Sequence, residues 1–344
     1  MARLAILAVA VLALAAPWVL GIFWISLVTQ MLILGLLALS VDLLTGHTGI
    51  LPMGHAGFFA VAAYATAILE VRHLQGFWVS AGSGVLAAVL LAVVFGLAVR
   101  TSGVYFILLT LALGHIVWGV AMRWTTFTGG ENGVSNVPPP AVAAVRFADL
   151  SIYYYLVLAV VGACCLGYHL LVRSPFGLSL RGIRESESRM RGLGYNVFAH
   201  KYAAFVISGG LAGVAGVLYA YWNRFVSPAA ATFHASAEAV LMGILGGTGT
   251  ILGPFIGAVI ILGIRNWVSG YVGWWTAVMG LVFIATVLWA PHGLLGLARE
   301  MSGRAAARRA PAPRAAALGQ ASAAGTSAMP GSGRPGGAHG SPPR

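Results

Sequence analysis

The chain has 344 residues, of which 59% are hydrophobic and 8% charged, with a mean hydropathy of +0.88. Soluble domains carry about a quarter of their residues as charges, so this composition excludes an ordinary soluble enzyme. The formal net charge is +12, half of it from six arginines beyond Glu300. The two cysteines, Cys164 and Cys165, are adjacent inside an apolar run, which reads as core packing and not as a disulfide framework.

Apolar runs of about 20 residues, the length of a helix that crosses a bilayer, recur along the chain. In order they are 4–24, 26–45, 52–70, 77–99, 103–122, 152–172, 201–222, 237–250, 251–268 and 272–290. The expected fold class is therefore an all-α polytopic membrane protein of about ten transmembrane helices, some of them short and interrupted by Gly and Pro. An outer-membrane barrel would show alternating segments of about ten residues, and these are absent. Residues 4–45 form one run long enough for two crossings, with the Ala16-Pro17 step as its break. The N-terminal stretch also fits a signal peptide with small residues near Ala13–Ala15. Because the apolar run continues well past that point, a retained first helix is expected.

The arginines orient these runs. With Arg3 inside, the even-numbered runs end inside, and Arg100, the cluster from Arg173 to Lys201 and the basic C-terminus all fall on the cytoplasmic side. Both termini are then cytoplasmic. The Gly/Pro-rich 123–150 loop, with Glu131 and Asp149, falls outside. Residues 1–300 make the transmembrane domain. Residues 301–344 are Ala, Pro, Gly and Ser with arginines and no acid, a composition expected to be disordered. No aromatics interleave with those arginines, so anionic lipid and not nucleic acid is the expected contact.

Between the sixth and seventh runs lies RGIRESESRMRGLG, residues 181–194, with six charges in fourteen positions: Arg181, Arg184, Glu185, Glu187, Arg189 and Arg191. Ser174-Pro175 upstream is a helix start, an N-cap followed by proline at the first helical position. Leu180, Ile183, Glu187 and Met190 follow at helical spacing, and Gly192 and Gly194 supply a stop. One or two short amphipathic helices at the membrane surface are expected in the cytoplasmic loop 174–200. Such an element either sets orientation or docks a cytoplasmic partner.

Two Gly/Pro breaks interrupt the apolar sequence: GHTGILPMG at 46–54 and GGTGTILGP at 246–254, each with Gly-x-Thr-Gly, Ile-Leu and a proline. Breaks at membrane depth leave backbone amides that protein or a water-filled path must satisfy, and paired breaks point to a transporter's substrate path. Tight turns between adjacent helices are the alternative. The path candidates are Asp42, His47, Thr48, Gly49 and His55 at the first break, and Glu238, Thr248 and Gly249 at the second. Asp42 and Glu238 are ionisable groups that inside a span face a cavity or a partner; each could instead reach the interface and be structural. His55 and His115 read as packing or hydrogen-bonding histidines, and no spacing fits a metal site.

The absences narrow the function. No Gly-x-x-x-x-Gly-Lys-[Ser/Thr] occurs, and the only lysine is Lys201, so the chain has no P-loop for ATP. Gly-x-Ser-x-Gly and His-Glu-x-x-His are also missing. The chain is expected to be no enzyme and to hold no cofactor. Uphill transport would draw on an ion gradient or on a separate motor; the scarcity of charge within the spans favours the motor.

The stretch ALSVDLLTGHTGILPMGHAGFFAVAAYATAIL (38–69) resembles the signature of LivM-type permeases of high-affinity branched-chain amino-acid ABC importers. GVYFILLTLALGHIV (103–117), TGGENGV (128–134), the 173–220 stretch opening RSPFGLSLRG, residues 225–260 and PHGLLGLAR (291–299) agree in order, so the resemblance covers about 18–299. It implies the ABC importer permease fold, in which a cytoplasmic helix couples the permease to an ATPase subunit that binds the ATP. The 174–200 loop matches that element, with Glu187 and Gly194 as the acid and glycine of its pattern. Arg181, Arg184, Glu185 and Arg191 are the further coupling candidates. The implied partners are a second related permease, two cytoplasmic ATPases and an extracytoplasmic solute-binding protein, in a bacterial inner membrane. That binding protein would dock on 123–150 and 223–235, where Glu131, Asp149 and Arg224 lie. The sequence departs from the family pattern at Asp42 for Asn, Pro52 for Ser and His47 for Tyr. A carboxylate on the path would favour a cationic or amide-bearing solute, so urea, short amides and aromatic amino acids stand beside the branched-chain ones.

Overall fold

The computed structural model describes residues 17–18, 20–73, 76–142, 145–147, 149–268, 270, 277, 280–281, 284 and 293. The proposed first and last crossings, 4–24 and 272–290, and the 301–344 tail fall largely or wholly outside these residues. What is described is almost entirely helical. Among the described residues, five helices are long and apolar enough to cross a membrane: α1 (Ile22–His47), α3 (Phe77–Phe95, extended by a 3-10 turn to Arg100), α4 (Val104–Arg123), α6 (Leu150–Arg173) and α9 (Val197–Asn223). Three shorter helices join them, α2 (His55–His73), α10 (Phe233–Gly246) and α11 (Gly253–Val268), and a single turn, α5 (Thr125–Thr128), follows α4.

Capping chemistry sets several boundaries and moves the sequence-based ones. The seventh run begins at Val197, four residues earlier than expected, because the Asn196 side chain accepts the Ala199 amide at 3.0 Å. The eighth run shifts to Phe233–Gly246: the Thr232 side chain caps its start, and Gly247, at φ +118°, ends it. The third run starts at His55 and not at 52. Pro52 biases Leu51 toward extended backbone, so residues 49–54 run without helix before α2 begins.

The interior is formed where α1, α2, α3 and α9 pack together, with α10 and α11 against α1. Small residues let these helices approach closely, as membrane bundles require. A Cβ at Gly213 would sit 2.6 Å from the Ala88 side chain on α3, and one at Gly216 would collide with the Phe59 carbonyl on α2. The α4 and α6 helices face outward, leaving Leu108, Ile116, Leu166 and Leu170 exposed on apolar surfaces suited to lipid.

At one end of the bundle lie two short helices, α7 (Pro175–Glu185) and α8 (Glu187–Gly192). The expected start holds: Ser174 accepts the Gly177 amide at 3.3 Å, with Pro175 in the first turn. Ser186 splits the charged stretch in two, ending α7 and capping α8 through the Arg189 amide at 3.3 Å. At the opposite end, β1 (Val134–Ser135) pairs antiparallel with β4 (Phe225–Val226), while β2 (Ala141–Val142) and β3 (Val145–Arg146) form a second small ribbon. The first pairing joins the 123–150 loop to the 223–235 segment.

Candidate functional site

The two glycine-rich breaks meet. Asp42, fully buried in the penultimate turn of α1, accepts the Gly249 amide on Oδ1 at 2.8 Å and the Tyr168 hydroxyl on Oδ2 at 2.9 Å. Tyr168, on α6, also lies 3.2 Å from His47 Nδ1, and the two rings are edge to face with centroids 5.7 Å apart. A Cβ at Gly46 would collide with the Gly249 amide and come within 2.6 Å of Asp42 Oδ1, so only glycine lets the two segments touch. Gly49 and Gly249, the last residues of the two Gly-x-Thr-Gly turns, share one left-handed backbone, at φ +74° and +75°. Thr48 caps its own helix, donating its hydroxyl to the Leu44 carbonyl at 2.6 Å. Gly293, in the PHGLLG stretch at φ +69°, lies against Gly247 at the end of α10.

The charged loop is anchored on this junction. Arg184 Nη1 donates to the Gly46 carbonyl, one of the last carbonyls of α1 that the helix itself leaves unpaired. The position suits a cation, because it is the negative end of the helix dipole. Ile183, Met190 and Val197 form a small apolar cluster beneath the loop, and the buried Lys201 ammonium pairs with Glu187, which also pairs with Arg191 at 3.3 Å. Two of the coupling candidates, Arg184 and Glu187, therefore hold the loop to the bundle. Arg181, Glu185, Arg191 and Gly194 are exposed, beside Leu178, Leu193 and Tyr195 at 61%, 68% and 44% exposure.

A second polar junction lies at mid-helix depth. His55, the first residue of α2, is fully buried, with Nε2 2.6 Å from Ser208 Oγ. Ser208 is the twelfth residue of α9, about 16 Å along a helix about 40 Å long. Its hydroxyl donates to the Ser40 carbonyl, so Nε2 carries the imidazole proton that Ser208 accepts. The Ala56 amide donates to Ser236 Oγ at 3.1 Å, so the N-terminal turns of α2 and α10 meet there. His115 is exposed and, among the described residues, bonds within its own helix, to the Leu111 carbonyl at 3.0 Å.

Glu238 stands apart from the other path candidates. It lines a cavity of about 460 Å³ between α1, α2, α9, α10 and α11, where Arg265 Nη1 donates to its Oε1 at 3.2 Å. Asp42, His47, Thr48, Gly49, His55, Thr248 and Gly249 do not line this cavity. Asp42 is fully buried and both its oxygens accept from protein donors, as in the structural alternative for this residue. Sequence reading missed Tyr168 and Arg265. Arg265 could have been found as the single charge within the ninth apolar run, and Tyr168 had no signal beyond being a hydroxyl in a span. Among the described residues no three His, Cys, Asp or Glu side chains come together as metal ligands.

Apolar helices broken in pairs by glycine turns, with an amphipathic helical loop clamped on the break, define a membrane transport permease. The chain belongs to the family described as branched-chain amino acid transport system / permease component, whose pattern matches residues 23–287. It is a multi-pass permease component of an ABC transport system. It is 30% identical to the high-affinity branched-chain amino acid transport system permease protein LivM of Salmonella typhimurium, over 90% of this chain and 79% of that one. The protein of the same name from Escherichia coli is also 30% identical, over 86% and 76%. The nucleoside ABC transporter permease protein NupC of Lactococcus lactis is 27% identical over 57% of this chain and 67% of its own. No solved structure matches the chain.

Proposed function

We propose that this chain is the membrane subunit of an ATP-driven importer, forming half of the path for branched-chain amino acids or a related small polar solute. A second related permease completes the path, and two cytoplasmic ATPases dock on residues 174–200. A solute-binding protein delivers the solute to the opposite face, where the β1–β4 pairing gathers the 123–150 and 223–235 segments into one surface. The membrane is the bacterial inner membrane, with both termini on the cytoplasmic side.

The observation that carries this reading is the bond from Arg184 to the Gly46 carbonyl. It ties the loop to the junction where both helix breaks touch, so displacement of the loop is felt at the breaks without an intervening flexible segment. ATP-driven closure of two ATPases on such loops would bias the permease between its outward- and inward-open states. The exposed Leu178, Leu193 and Tyr195 among mixed Arg and Glu give the loop the make-up of a protein-docking surface.

The test is reconstitution. The chain is co-expressed with its candidate partner permease, ATPases and binding protein, and uptake of labelled leucine, isoleucine and valine into vesicles is followed with and without ATP. ATP-dependent uptake that needs the binding protein is expected. Uptake that persists without the ATPases and follows an ion gradient would overturn the reading.

A further inference from the structure

The cavity beside Glu238 has features that the coupling geometry does not use. Its 460 Å³ falls within the range of small-molecule sites. It lies toward the end of the bundle opposite α7 and α8, since Gln30 from the first third of α1 and Tyr219 from the last turns of α9 line it. One side is apolar, made by Leu34, Leu37 and Met242 with the Tyr219 ring, which packs on Phe59 with centroids 5.0 Å apart. The other side carries Glu238 and Arg265, whose side chains are 14% and 26% exposed.

A carboxylate and a guanidinium this far from water are costly unless their hydrogen-bonding capacity is used. Here a single 3.2 Å contact joins them among the described residues. An ionised carboxylate has about four lone-pair sites and a guanidinium five N–H donors, so both groups, which line the cavity, keep hydrogen-bonding capacity that this contact does not use. The first turn of α10, capped by Thr232, borders the same space and favours negative charge there.

We infer that this cavity binds a neutral α-amino acid as its zwitterion, with the ammonium on Glu238, the carboxylate on Arg265 and the first turn of α10, and the side chain along Leu34, Leu37 and Met242. The inference rests on the amino-acid reading of the proposed function and adds to it. The permease itself, and not only a binding protein, reads the paired charges of the solute. An ion pair inside the cavity suits such a ligand, because each half exchanges a protein partner for a solute group of the same charge and no net charge is buried.

The experiment uses the assembled transporter in nanodiscs without binding protein, carrying Ala235→Cys on the cavity wall in a Cys164→Ser, Cys165→Ser background. Labelling by a small polar maleimide is timed with leucine, with 4-methylpentanoate, which lacks the ammonium, and with 3-methylbutylamine, which lacks the carboxylate. Leucine uptake by the unsubstituted transporter is measured in parallel with its binding protein. Leucine is expected to slow labelling about tenfold and the two single-charge analogues not at all, with the protection lost in Glu238→Gln and Arg265→Gln, as removal of one charge-assisted contact implies. If leucine is imported but gives no protection, or protects no better than the analogues, the site is wrong and the importer reading stands. If leucine is not imported, the amino-acid reading fails and takes the site with it. Where the glutamine variants do not assemble, the three ligands acting on Ala235→Cys alone decide.

Discussion

Asp42 and Gly249, 207 residues apart in the chain, are joined by one 2.8 Å hydrogen bond that clasps the two glycine-rich breaks together. The other carboxylate oxygen holds Tyr168 at 2.9 Å, so two helices and the turn between α10 and α11 converge on one buried side chain. Asp42→Ala would leave the Gly249 amide and the Tyr168 hydroxyl unpaired in a dry site, at about 2–5 kcal/mol for the two together. Asp42→Asn keeps an acceptor for Gly249 and gives Tyr168 an amide donor, so it is expected to stay within about 1 kcal/mol of the parent. Denaturation of the detergent-solubilised protein compares them, and equal losses in the two variants would rule out the clasp.

Gly46 and Gly243 are both helical glycines, yet their surroundings differ. A Cβ at Gly46 meets the Gly249 amide, whereas one at Gly243 meets only the Ala38 carbonyl at 3.8 Å. Gly46→Ala is therefore expected to cost about 1–3 kcal/mol as overpacking, by forcing the breaks apart. Gly243→Ala should be neutral or gain up to about 1 kcal/mol from lower chain entropy. Thermal melting of the two variants side by side checks the contrast.

Arg184 and Leu193 separate holding the loop from docking on it. Arg184 bonds the Gly46 carbonyl, and Leu193 is 68% exposed. Leu193→Glu is expected to release the ATPases in a co-purification. Arg184→Ala should retain them while ATP-dependent uptake falls about tenfold, the loss of about 1.4 kcal/mol of coupling. Release of the ATPases by Arg184→Ala would place this arginine at the docking surface instead.

The helices and their order were legible in the sequence because each crossing is a run of apolar residues, and Ser174-Pro175 fixed the start of the charged loop. The start of α2 was misplaced by three residues, because hydropathy does not register that Pro52 holds the chain extended. The glycine turns were legible as a pair, yet their contact was not. Nothing local in Gly46 or Gly249 records that a neighbouring backbone replaces the missing Cβ. Asp42 and Glu238 looked alike as lone carboxylates in apolar runs. Only their partners, two neutral donors for one and Arg265 for the other, separate a clasp from a cavity wall.

Glu187 and Lys201 give the last prediction. The Lys201 side chain is 5% exposed and that of its partner 37%, so the ammonium depends on Glu187 for compensation. Glu187→Ala strands a buried cation and should cost about 1–3 kcal/mol, less than a fully buried pair because water reaches the glutamate. Lys201→Met removes the charge and keeps the stem's packing. The double variant Glu187→Ala with Lys201→Met is accordingly expected to be more stable than Glu187→Ala alone. A double-mutant cycle in detergent measures this coupling directly. Additive losses would show that the pair does not hold α8 to α9, and that the apolar contacts of Ile183, Met190 and Val197 carry the loop by themselves.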